Sequence, residues 1–133
     1  MIRAVLFIAT ITVSMMAGGG LSFQVDEIRW LNPTSSPLSF DTKPNTRIAD
    51  IENKSRAEIT AYQLGCATVQ NQHLKVLSRY KMIEENHFTP DRMGMIPYDT
   101  VQKEWRDCSA KAGSLSAIEV HFADGAIWRI PSQ

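Results

Sequence analysis

The residues of this 133-residue chain with most chemical potential are two cysteines, Cys66 and Cys108, and three histidines, His73, His87 and His121. A thiolate at Cys66 activated by a histidine would be a nucleophile, whereas oxidative pairing with Cys108 removes the thiolate and leaves an inert staple. The histidines form no His-x-x-x-His or similar pair, so His87 with Asp91 is the best metal-ligand pairing available, and it is incomplete. Glu84 and Glu85 are sequence neighbours, and an acid–base couple would need two different environments. A polar stretch that keeps a strand end in solvent explains them as well. Gly-rich phosphate loops, a Gly-x-Ser-x-Gly elbow and Cys-x-x-Cys are all missing from the sequence. The expectation is therefore no catalytic residue, no metal and no cofactor.

The fate of the cysteines depends on compartment. Residues 1–20 carry Arg3, an apolar stretch beginning at Ala4, and Ala17-Gly18-Gly19-Gly20, the three-part pattern of a secretory signal peptide with cleavage after Gly19 or Gly20. From Ala4 to Ala17 there are 14 residues, short of the roughly 20 that span a bilayer as a helix. An uncleaved anchor is the alternative. A secreted or periplasmic product without stable membrane insertion is expected, and in such a compartment an even cysteine count predicts a Cys66–Cys108 disulfide. With 14 basic and 14 acidic residues and no run of like charge, the chain is not a nucleic-acid binder of the electrostatic kind. Asn53-Lys54-Ser55 has the form of a glycosylation acceptor at a turn.

The elements that must position these residues read as mostly extended. A strand and loop region (21–45) precedes the main body (46–133), the two forming one domain. Phe23–Trp30 alternates with a slip near Asp26-Glu27. Asn32 to Pro37 is a loop, Leu38–Phe40 a short strand, Lys43-Pro44-Asn45 a turn, and Arg47–Glu52 a further strand. Glu58–Val69 is the expected central strand, with Ile59, Ala61 and Val69 on one face and Tyr62, Leu64 and Cys66 on the other, and Gly65 marks a bulge or a close approach. Leu74–Met82 pairs back through Asn71-Gln72, and Asn86–Gly94 reads as loop. From Asp99 the period changes: Val101, Trp105, Cys108 and Ala112 share one face of a helix over 99–112, with Asp99 or Thr100 as its cap and Gly113 at its end. Two strands then flank Ala123-Asp124-Gly125. A three-residue loop with Gly125 left-handed pairs Phe122 with Ala126, Val120 with Trp128, Glu119 with Arg129 and Ile118 with Ile130, separating apolar from charged faces.

Six to eight short strands with one helix predict a mainly β, antiparallel sandwich. Asn53-Lys54-Ser55, Ile59-Thr60-Ala61-Tyr62 and Phe122-Ala123-Asp124-Gly125-Ala126-Ile127-Trp128 resemble small exported bacterial proteins with immunoglobulin-like or fibronectin-type sandwich folds, over about residues 46–131. The immunoglobulin spacing of cysteine and tryptophan is absent, since Trp105 precedes Cys108 by three residues. The resemblance implies a fold and no activity. Of the tryptophans, Trp128 is expected in the core, while Trp30 ends a strand before a proline-rich loop. Phe88, Met93, Met95, Ile96 and Tyr98 make the 86–98 stretch unusually apolar for a connection, so it either folds back over the sheet or presents a contact surface. The functional expectation is a non-catalytic exported module that binds a protein or a cell-surface polymer. The alternative is a small secreted enzyme with its site in the 83–98 loop.

Overall fold

In the computed structural model, residues 27–44 and 46–131 are described; the leader (1–20) and the start of the first expected strand lie outside them. Seven strands and one helix follow in order: β1 (Leu38–Thr42), β2 (Ile48–Asn53), β3 (Ile59–Gln70), β4 (His73–Phe88), β5 (Met93–Pro97), α1 (Tyr98–Ala110), β6 (Ser114–Phe122) and β7 (Ile127–Arg129). They form two antiparallel sheets, β1-β2-β5 and β4-β3-β6-β7. The sheets meet through a common core in which Phe40 of β1 and Tyr62 of β3 place their rings 6.0 Å apart. Val101, Trp105 and Cys108, spaced as the sequence pattern requires, turn one face of α1 into that same core. A Cys66–Cys108 disulfide fastens the helix to the central strand.

Local chemistry explains the connections. Asn71 and Gln72 both adopt positive φ (53° and 67°) between the paired residues Gln70 and His73, the two-residue turn whose twist matches a hairpin. The last hairpin has the expected register: Glu119 pairs with Arg129 and Val120 with Trp128, Phe122 N donates to Ala126 O, Ile130 N donates to Ile118 O, and Gly125 has φ 93°. Gly65 marks a close approach, since a β-carbon there would lie 2.7 Å from Ser78 O and 2.8 Å from the Ile118 side chain. Register shifts flank it on both sides of β3.

Four expectations need correction. Asn86–Gly94 is not a loop: β4 runs six residues past Met82 to Phe88, and β5 begins at Met93. Nonlocal pairing of β5 with β2 supplies the order that Gly94 and Pro97 hide from a local reading. The helix begins at Tyr98 with Pro97 at its N-cap position and no side-chain cap bond, so Asp99 lies in the first turn instead, where its carboxylate suits the helix dipole. The left-handed residue that closes the helix is Ala112 (φ 58°), not Gly113; Ala112 N donates to Ser109 O and Gly113 N to Cys108 O. Finally, a register shift between Ile59 and Ala61 turns Ile59 into the core beside Tyr62 and Leu64, and Val69 is exposed.

Residues before β1 close its outer edge. Asn32 Nδ2 donates to Phe40 O while Asn32 Oδ1 accepts from Phe40 N, so one side-chain amide stands where a neighbouring strand would be. Ser36 Oγ does the same for Leu38, donating to its carbonyl and accepting from its N–H. Trp30 stacks on Phe40 at 4.5 Å and donates from Nε1 to Thr42 Oγ1. Trp30 and Trp128 are both partly buried against the core, which Trp105 enters fully.

Candidate functional site

The side chains singled out in the sequence do not converge. His87, at positive φ (61°) near the end of β4, places Nδ1 3.1 Å from Glu58 Oε2, so its hydrogen-bond partner comes from the approach to β3 and not from Asp91. Glu85 instead faces Tyr62, whose hydroxyl donates to Glu85 Oε2 at 3.5 Å. Burial, reinforced by that carboxylate, pushes the Tyr62 phenol well above its ordinary value of 10.0. His121 Nε2 lies 2.6 Å from Glu119 Oε2, and Arg129 Nε donates to Glu119 Oε1 at 3.2 Å. The His121 hydrogen bond, with the Arg129 charge behind it, holds the Glu119 carboxyl below the usual carboxylate range. Among the described residues, no three His, Cys, Asp or Glu side chains gather as metal ligands.

Cys66 and Cys108 are joined, fully buried and flanked by Gly113. A β-carbon at Gly113 would collide with Cys66 Sγ and lie 3.1 Å from Ala67 O. This glycine is needed for space beside the sulfurs, which its place just after a helix conceals. Asn53 is 2% exposed. Its Nδ2 donates to Ala57 O and Phe88 O, and its Oδ1 accepts from Ser55 N and Oγ. Both amide hydrogens being committed, the Asn-Lys-Ser triplet in the folded chain ties the end of β2 to the ends of the other sheet and offers no glycan acceptor.

Two other features stand out, the first not named from the sequence and the second named there only as an apolar connection. One lies where β4 passes α1, along a groove of about 520 Å³ lined by Tyr80, Lys81, Lys103, Glu104 and Asp107 among others. Tyr80 Oη donates to Asp107 Oδ2 at 2.6 Å, and Lys111 Nζ donates to the same oxygen at 3.1 Å and to Ser78 Oγ. The Tyr80 bond, then the Lys111 bond, keeps the Asp107 carboxyl below its ordinary range. Desolvation, with the bond to Asp107, pushes Tyr80 well above 10.0. Together these bonds form a hydrogen-bond brace between strand and helix. Ser78 could be expected there, being in register with Cys66, but only once the disulfide partner of Cys66 is known.

The second feature is the outer edge of β5. Among the described residues it pairs only with β2, at the end of its sheet. Phe88 and Ile96 from this apolar stretch fold into the core, while Met93 and Met95 stay 61% and 64% exposed. Strand alternation puts Ile96 inside and leaves the two methionines outside. Beside the methionines, on the same face, stand Glu52 and Asp50, their partners on β2. Glu52 is exposed, and Lys43 lies 3.9 Å from Asp50. Comparison with protein-family models, curated proteins and solved structures finds no match for this chain.

Proposed function

We propose that the chain is an exported, non-catalytic β module that binds another protein by accepting an extended segment of it alongside β5. The observation that carries this reading is the edge of β5, unpaired among the described residues, with Met93 and Met95 exposed beside it. Flexible, polarizable methionines adapt to varied side chains, and an unpaired strand supplies a row of backbone donors and acceptors for strand addition. The leader pattern of residues 1–20 and the Cys66–Cys108 bond support export into an oxidising compartment.

The test is capture of a partner from the extracytoplasmic fraction of the source cells, comparing the native chain with Met95→Lys. Because Met95 is largely exposed, the variant folds normally. It loses an anchor in the contact, and affinity for the recovered protein falls roughly tenfold. Equal recovery by both chains, or a chain found in the cytosol, overturns the reading.

A further inference from the structure

The brace beneath the β4–α1 groove has an electrostatic consequence. Asp107 is paired from within by Lys111, and desolvation together with its bond to Asp107 keeps Tyr80 an uncharged phenol. What remains along the groove is Lys81 and Lys103 against the single carboxylate of Glu104, since Arg79 follows Ser78, which faces the helix, and so projects from the other face of β4. Neither lysine makes a salt bridge with a described residue, although Lys43, His87, Lys111, His121 and Arg129 all have carboxylate partners. A concave site with an excess of unpaired cations concentrates anions, because its low-dielectric walls focus the field. Its volume lies in the range of small-ligand sites, roughly 300–1,000 Å³.

From this geometry we infer that the groove binds an acidic sugar unit, a ring bearing a carboxylate or phosphate together with free hydroxyls, as found in charged surface polymers. Lys81 from the strand and Lys103 from the helix approach the anionic group from opposite walls. Glu104, one residue on, accepts hydrogen bonds from sugar hydroxyls, a role that a site for bare phosphate would not need. The Tyr80 ring contributes apolar surface to the floor, and its hydroxyl is already engaged, which fixes the ring against the helix. The site is on the four-stranded sheet and is independent of strand addition at β5.

The experiment uses the full chain, isotope-labelled and titrated in separate arms with glucuronate oligomers, neutral glucose oligomers of equal length, and inorganic phosphate. Amide shifts confined to residues 78–81 and 103–107 are expected with the uronate, with weaker binding of phosphate and none of the neutral oligomer. Lys81→Gln combined with Lys103→Gln, both solvent-exposed positions, preserves the spectrum of the free protein and weakens uronate binding about tenfold, as loss of two charge-assisted contacts requires. No shift in this region, equal binding of the neutral oligomer, or an unchanged affinity in the double variant overturns the site. Phosphate binding as tight as uronate binding overturns the sugar assignment.

Discussion

Four backbone positions are held in the left-handed region by residues that carry a β-carbon: Asn71, Gln72, His87 and Ala112. At two of them nothing in the side chain compensates. Ala112 is exposed and closes α1, and Gln72 is exposed at the second corner of the β3–β4 turn. Replacing either by glycine relieves about 1 kcal/mol of local strain, so Ala112→Gly and Gln72→Gly each shift the denaturant midpoint upward, and their effects add. A midpoint that falls for either would mean the strain is absent. These positions also mark where the sequence misleads. Gly113 looks like the helix terminator because glycine usually fills that role, yet it is retained by crowding against sulfur while an alanine takes the unfavourable backbone geometry. By contrast, Gly125 was legible, since only a left-handed residue there brings Glu119 opposite Arg129.

At the scale of elements, the disulfide and its glycine act together. Closing a loop between positions 42 residues apart stabilises by roughly 4 kcal/mol in the chain-entropy picture. Both sulfurs are buried, so thiol reagents should find none in the native chain and two after reduction under denaturing conditions. Gly113→Ala costs about 2 kcal/mol by overpacking, and most of that cost disappears in a Cys66→Ala, Cys108→Ala background, where the sulfurs no longer crowd the site. A penalty unchanged in that background would assign Gly113 another role. The cysteine pair, the helix face and the final hairpin could be read locally because each depends on a short-range period or a turn. The β5 strand could not, because a Met-Gly-Met-Ile-Pro stretch acquires its conformation from β2, some 40 residues away. The β4–α1 groove escaped for the same reason: Tyr80 and Asp107 meet only after the helix is tied down.

For the whole molecule, the two shifted phenols set an alkaline limit. Tyr62 and Tyr80 hold their protons more tightly in the folded state than at the ordinary value of 10.0. Their contribution to stability is complete below pH 10 and drains away as pH rises beyond it, because the unfolded chain releases protons that the native one retains. Ultraviolet titration should show these two tyrosines un-ionised above pH 10 until the fold opens, with their ionisation and the loss of structure coinciding. Independent, early ionisation of all three tyrosines in a still-folded chain would remove this account.

The Asn32 and Ser36 side chains that occupy the backbone of β1 have a bearing on stoichiometry. A three-stranded sheet with two open ends could pass its pairing from molecule to molecule. Here one end is already capped by the chain itself, so a guest strand taken up at β5 has no counterpart site across this sheet. Along this sheet, association stops at one visitor per host instead of propagating into a fibre.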